Sequence, residues 1–550
     1  MSGRAAKRQG GRQRQRPGGH TPAKAQGPAH VLGQHRVHTR QGEGEPMTAS
    51  TPRLEDLPLM LDRHADREVF LHGRAGSTRT TFGGIAQRVQ AAARQAAALG
   101  LGAGSRVGLI AGNKLETLVI DMAALACRWT LVHLPDRAGT SGSSDPGGPL
   151  GVPLDALILE GEADADTRAW SLAGTVEGFR VYRANEADRA PADARLSRAP
   201  AIVFSSGTTG RSKAIIVDRE AVLPHARRFF DMLEANAQDR FLIFLPLSNY
   251  QQKLLVYGCV LSGTGFCLSD MATVMPALRA YRPTLFLAPP VFYESACSLA
   301  RVGDEQGRSA RLAQLFGGAI RRAYSGMAPI KESVMSAYRE AGVALFEAYG
   351  MTEFGPICAN TPDASASGSV GRPIPPGSVK IAEDGEIIVS APRCLTSGYV
   401  ALADADEARK TYLDETSIAT GDVGYIDDAG FVYIRGRKKE LILTSQGYKI
   451  HPGSIERRFH EIAAVRHAVV LGNGRPYLGL LIIAEQEDPS VHDAVFDVVA
   501  RLNREECAAH PIQRVQIRTH AFTPENGLLT ANLKLNRKNI AAQYEQAVFS

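Results

Sequence analysis

Apolar positions in this chain fall into two patterns, short unbroken runs and longer stretches with one apolar face. Residues 82–101 are Ala-rich with apolar side chains at helical spacing, and a Gly-rich turn follows; the spacing predicts an amphipathic helix. Arg106-Val-Gly-Leu-Ile-Ala111 reads as a buried strand, residues 116–127 as a helix, and Thr130-Leu-Val-His-Leu134 as the next strand. Strand-like runs recur at 201–204, 241–245, 284–287 and 344–347. Strands alternating with helices predict an α/β fold, a parallel sheet with helices on both faces. After about residue 370 the pattern shifts to short strands at 379–382, 386–389, 424–427 and 431–434, punctuated by Gly and Asp. That predicts a small antiparallel β region closing a large domain over residues 47–436. Residues 437–550 leave room for one small C-terminal α/β domain.

Composition supports a folded body and separates a tail from it. The chain has 550 residues, 44% hydrophobic and 22% charged, a balance that excludes a mostly disordered protein. Nine Lys/Arg against two acids give residues 1–46 a net +7, so the rest carries −1 of the total +6. The basic balance belongs to the tail, and no nucleic-acid partner is expected for the body. The tail has almost no aliphatic residues and cannot bury a core. It reads as a basic arm for nucleic acid or an acidic surface, as a targeting peptide, or as an extension before a start at Met47; the last is the expectation adopted. Residues 138–149 are rich in Gly, Ser and Pro and read as a flexible surface loop. Seven scattered cysteines show no CxxC and no metal-ligand spacing, so no disulfide framework is expected, and a reducing cytoplasm fits best. The most apolar stretch, 117–134, contains Asp121 and Arg128. It reads as a core helix running into a strand, and no transmembrane segment is expected.

The chemistry concentrates first in Ala201-Ile-Val-Phe-Ser-Ser-Gly-Thr-Thr-Gly-Arg-Ser-Lys213. A buried strand runs into a loop of small and hydroxyl residues that ends in a lysine. Glycines let backbone N–H groups approach an anion, hydroxyls add donors, and Lys213 adds charge. Together these can hold a polyphosphate. No Gly-Lys-Ser/Thr ending is present, so the loop is not a Walker A motif. Ser205 to Lys213 resembles the phosphate loop of the adenylate-forming superfamily, which includes acyl- and aryl-CoA synthetases, peptide-synthetase adenylation domains and beetle luciferases. The resemblance assigns Ser205, Ser206, Gly207, Thr208, Thr209, Gly210 and Lys213 to nucleotide phosphates. Ala214 stands where the family usually has glycine, a departure of little weight if the backbone there has negative φ.

Further motifs follow in the family's order. Tyr349-Gly-Met-Thr-Glu353 resembles its second core motif, which implies that Tyr349 stacks on adenine, Thr352 meets the α-phosphate and Glu353 binds Mg²⁺. Gly385-Glu-Ile-Ile-Val389, with Gly398-Tyr399 downstream, matches a scaffold motif. Thr420-Gly-Asp422-Val-Gly424 resembles the ribose-binding motif, with Asp422 on the ribose hydroxyls. Gly436-Arg437-Lys-Lys439-Glu440 follows, with Arg437 also on the ribose and Lys439 at the hinge about which the small domain turns. Ser445-Gln-Gly447-Tyr-Lys resembles the loop that joins the site in the thioester-forming state, with Gly447 admitting the pantetheine arm of coenzyme A. Leu529-Thr-Ala-Asn-Leu-Lys534-Leu-Asn-Arg537 resembles the motif of the catalytic lysine, with Lys534 bridging the acid's carboxylate and the α-phosphate; Lys538 fits that spacing less well.

The resemblance spans roughly residues 55–545 and implies an AMP-forming acid–thiol ligase that uses ATP, Mg²⁺ and coenzyme A on a small-molecule carboxylic acid. An acyl-adenylate forms with release of pyrophosphate, and thioester formation then releases AMP. A carrier-protein thiol, an amine or another nucleophile could replace coenzyme A, and a non-catalytic nucleotide-binding protein is the alternative from another class. Residues 439–445, 529–537 and Leu245-Pro-Leu-Ser248 look most like long-chain acyl-CoA synthetases. Those enzymes usually have histidine next, where this chain has Asn249, beside the acid pocket. The stretch Asn249-Tyr-Gln-Gln-Lys253 is polar for a fatty-acid tunnel. It either caps the next helix and faces solvent or recognises a polar or aromatic acid. Ser325-Gly326-Met327 is expected to form another wall of that pocket, with Met327 narrowing it.

Overall fold

The computed structural model describes residues 52–134, 152–161, 170–185, 194–205, 213–301, 307–401, 405–462, 464–486, 488–523, 525–529 and 535–550. The basic tail and the loop at 138–149 lie outside the described residues, as do 206–212 and Lys534. For Ser205 only the backbone is described.

The sequence places its first helix accurately because cap and periodicity agree. Thr81 accepts a hydrogen bond from the Gly84 N–H at 3.2 Å and caps the helix Phe82–Ala98. Phe82, Ile85, Ala86, Val89, Ala92 and Ala96 then fall on its buried face. The expected alternation follows, with strand Arg106–Ile110, helix Leu115–Ala126 and strand Thr130–His133.

Two large sheets result rather than one. In the first, the strand at Arg106–Ile110 pairs in parallel with Thr130–His133 and with Ala156–Leu159, and Thr130–His133 pairs in parallel with Ala201–Ser205. Its margins are antiparallel, and one of them is the hairpin of Ala201–Ser205 with Lys213–Val217, in which Ser205 lies opposite Lys213. In the second sheet, Leu345–Met351, Arg322–Ser325, Leu285–Ala288, Arg240–Ile243, Gly265–Leu268 and Glu68–Gly73 run parallel in that order. One hydrophobic core joins the two, taking Val107, Leu109 and Leu131 from the first sheet, Phe241, Ile243 and Phe266 from the second, and the helices Leu115–Ala126 and Tyr250–Ser262.

The expected antiparallel region is a four-stranded sheet, Val379–Ile381, Glu386–Ser390, Ser417–Ile426 and Val432–Arg437. Beyond it, strands Val465–Leu471, Leu478–Ala484 and Ile512–Arg518 form a three-stranded sheet. Helices Pro489–Glu505 and Arg537–Phe549 pack on it, and its two hydrophobic clusters draw only on residues from Ile442 onward. All seven cysteines are free. Among the described residues no helix is long and apolar enough to cross a membrane.

Candidate active site

Three strands meet at one carboxylate. Asp422 sits in the strand Ser417–Ile426, just after Gly421, whose φ of +73° suits glycine. The Gly421 N–H donates to Glu386 Oε1 at 2.9 Å, which fixes the irregular backbone. The Asp422 N–H donates to Thr420 Oγ1 at 3.1 Å. Its side chain is then held from two sides. Arg437 Nε lies 2.8 Å from Oδ1, and the Tyr349 hydroxyl donates to Oδ2. Burial together with the Asp422 charge holds the Tyr349 hydroxyl well above its usual pKa, so it stays a donor.

Glu353 lies in the turn after the Tyr349 strand. The Tyr399 hydroxyl donates to its Oε1 at 3.4 Å, and its carbonyl accepts from Thr396 Oγ1 at 2.6 Å. Burial raises the Glu353 pKa, and the charges of Arg437 and Lys213 pull it back only in part. A carboxylate short of compensating charge suits a cation. No group of three or more His, Cys, Asp or Glu able to hold a metal occurs among the described residues. Glu353 is a single carboxylate that could fill one coordination position of a hard cation. Thr352 is half-buried beside it.

Lys213 opens its strand with its Nζ 4.9 Å from the centre of the Tyr399 ring. Its ammonium lies 3.0 Å from Glu407 Oε1, and Lys439 contacts the same oxygen. Ala214 is buried within the strand and is absent from the residues with positive φ. A Cβ is therefore accommodated where the family usually has glycine, as expected.

The proposed acid-pocket residues are less simply disposed. Asn249 caps the helix Tyr250–Ser262, its Oδ1 accepting from the Gln251 N–H at 3.1 Å. The cap is as expected, but the stretch after it does not face solvent. Gln252 and Lys253 are buried; Lys253 Nζ lies 2.5 Å from Asp121 Oδ1, and the Tyr257 hydroxyl donates to Asp121 Oδ2 at 2.7 Å. Asp121 is the acid that interrupts the apolar stretch 117–134, and its partner is Lys253. Ser325 ends its strand with a buried Oγ that has no hydrogen-bond partner among the described residues. Met327 has a φ of +73°, unusual for a side-chain-bearing residue, and is 39% exposed. Gly326 lies between them, and a Cβ there would stand 3.4 Å from the Ala348 carbonyl oxygen.

Two C-terminal expectations resolve differently. Gly447 occupies the tight turn 444–448 with φ +85°, its N–H donating to Thr444 O at 3.0 Å, and open space lies where a Cβ would point. Arg537, from the motif of Lys534, is a structural clamp. It donates to Glu456 Oε1 at 2.8 Å and Oε2 at 2.5 Å and to Glu440 Oε2 at 2.9 Å. Lys538 is exposed. Ser206, Gly207, Thr208, Thr209, Gly210 and Lys534 fall outside the described residues. Glu407 and Lys253 carry no signal of their own in the sequence, since each gains meaning only from partners that the fold brings to it, Lys213 and Lys439 for Glu407 and Asp121 for Lys253.

Known proteins resemble this chain in sequence and in fold. Residues 155–400 match the family described as AMP-binding enzyme, and residues 439–549 match the AMP-binding enzyme C-terminal domain. The chain is 26% identical over 555 residues to a long-chain-fatty-acid–CoA ligase, FadD15, of Mycobacterium bovis, covering 85% of this chain and 91% of that protein. It is 29% identical over 290 residues to a 2-succinylbenzoate–CoA ligase of Listeria monocytogenes, covering 50% and 57%. Its fold matches ATP-bound MatB from Rhodopseudomonas palustris with a TM-score of 0.68 at 19% identity, over 90% of this chain and 100% of that one.

Proposed function

Because the chain belongs to the adenylate-forming superfamily and carries both of its AMP-binding domains, we propose that it is an AMP-forming acid–CoA ligase. An oxygen of the acid's carboxylate attacks the α-phosphorus of ATP. The bond from that phosphorus to the bridging oxygen breaks, and pyrophosphate leaves. The thiol of coenzyme A then attacks the acyl carbonyl, losing its proton, and the acyl–oxygen bond breaks to free AMP. No protein nucleophile is needed, so the buried cysteines have no chemical part. Catalysis is positioning and charge stabilisation.

The observation that carries this reading is the convergence of Tyr349, Arg437 and Asp422. Asp422 accepts from the ribose hydroxyls, Arg437 aims it and also meets the ribose, and the Tyr349 ring lies along the base. Lys213 meets the outer phosphates. Bound Mg²⁺ would neutralise phosphate charge, with Glu353 as its protein ligand and Thr352 on the α-phosphate. Lys534 bridges the carboxylate and the α-phosphate while the small domain is in its first orientation. Turning about Lys439 then brings the Gly447 turn to the pantetheine arm and excludes water from the adenylate. Asn249 and Ser325 to Met327 border the acid.

The test is incubation of the full chain with Mg·ATP and a panel of fatty, aryl and amino-substituted acids, with and without coenzyme A, with products identified by mass. A thioester formed only with coenzyme A supports the reading and names the acid class. Pyrophosphate without thioester moves the acceptor to another nucleophile, and no turnover with any acid counts against the ligase.

A further inference from the structure

Lys213 and Lys439 are far apart in sequence, yet their ammonium groups share one oxygen, Oε1 of Glu407. Glu407 lies on the short helix Ala405–Thr411. The two cations hold its carboxyl below the usual range, Lys439 foremost. Lys213 is further oriented by the Tyr399 ring, and the same tyrosine's hydroxyl reaches Glu353. Two ammonium groups on one anionic oxygen make a site for an oxyanion. Neighbouring Lys438 is committed elsewhere, with Asp384 and Glu386 each 2.6 Å from its Nζ.

We propose that Lys213 and Lys439 form a two-lysine site for the terminal phosphates of ATP and for pyrophosphate, and that Glu407 is the internal anion they exchange for it. This adds a binding role to Lys439, which then grips the nucleotide in the first half-reaction and lets go when pyrophosphate leaves. Glu407 is a positioning residue. It keeps two like charges close together before nucleotide arrives, and it recaptures them once pyrophosphate has gone. The inference rests on the adenylate-forming reading only for the identity of the anion.

The test uses the full chain without acid or coenzyme A. Binding of ATP and of inorganic pyrophosphate is titrated separately by calorimetry for the wild type, Glu407→Gln and Lys439→Met. Removing the internal competitor should tighten both ligands by roughly threefold to tenfold in Glu407→Gln. Losing one of two cations should weaken pyrophosphate by a similar factor in Lys439→Met, and Lys439→Arg should restore it. Lys439 is half exposed and its replacement does not disturb a core, so this arm stands even if Glu407→Gln folds poorly. Wild-type binding that is unchanged in Lys439→Met, or weakened in a folded Glu407→Gln, overturns the inference and leaves the ligase reading intact. A wild type that binds neither ligand overturns both.

Discussion

The Tyr349 hydroxyl donates to Oδ2 of Asp422, and Arg437 Nε stands 2.8 Å from the other oxygen. The side chain assigned to the base thus braces the side chain assigned to the sugar. Asp422→Ala removes the acceptor proposed for the ribose hydroxyls and should raise the KM for ATP by about tenfold to a hundredfold. Tyr349→Phe keeps the ring and loses only the brace, so its effect should be smaller and confined to KM. Steady-state kinetics with varied ATP distinguish the two.

Tyr399 supports Glu353 from behind at 3.4 Å. Tyr399→Phe should raise the Mg²⁺ concentration needed for half-maximal rate by about tenfold, the scale typical of a group that orients a metal ligand. Glu353→Gln should raise it further. Titration of activity with Mg²⁺ at saturating ATP checks both.

The Lys253–Asp121 pair is buried on both sides, at 3% and 4% side-chain exposure. Lys253→Met strands Asp121 with the Tyr257 hydroxyl alone and should cost about 3–5 kcal/mol. The double variant Asp121→Leu with Lys253→Met should recover most of that loss. Denaturant unfolding of the single and double variants measures the coupling.

Two buried groups give opposite pH slopes. Burial pushes the Glu347 carboxyl up from 4.5 to about 7, with Arg457 offsetting this only in part. The native state there holds a proton that the unfolded chain has lost, so stability falls as pH rises from about 4.5 to 7. Glu347→Gln should flatten that slope. Burial pushes His225 down from 6.5 to about 4, although its ring nitrogen pairs with the Arg393 carbonyl at 3.0 Å. Its contribution is present above pH 6.5 and is lost as pH falls toward 4. His225→Gln should remove that acid-side loss. Melting temperatures at several pH values check both signs.

Much of this architecture is legible in the chain because local and global signals coincide. Thr81 caps the helix whose apolar face begins at Phe82, and the strand runs at 106–111 and 130–134 need no partner to be recognised. The site motifs are legible where a glycine marks an unusual backbone, as Gly421 does beside Asp422. Pairings are not legible, because charge says nothing about distance along a fold. Arg537 looks like part of the catalytic motif three residues from Lys534, yet it spends its guanidinium on Glu440 and Glu456. Lys253 looks solvent-facing until Asp121 is placed against it. Glu407 is one acid among many until two lysines meet on it.

The central claim is that the chain activates a carboxylic acid on ATP before any thiol takes part. Exchange of labelled pyrophosphate into ATP, run with each acid in turn and without coenzyme A, tests it most directly. Exchange should depend on acid and Mg²⁺ and should fall by about 10²–10³ in Lys534→Ala, the loss typical of one preorganised charge donor. Exchange that proceeds without any acid, or equally well in Lys534→Ala, would contradict it.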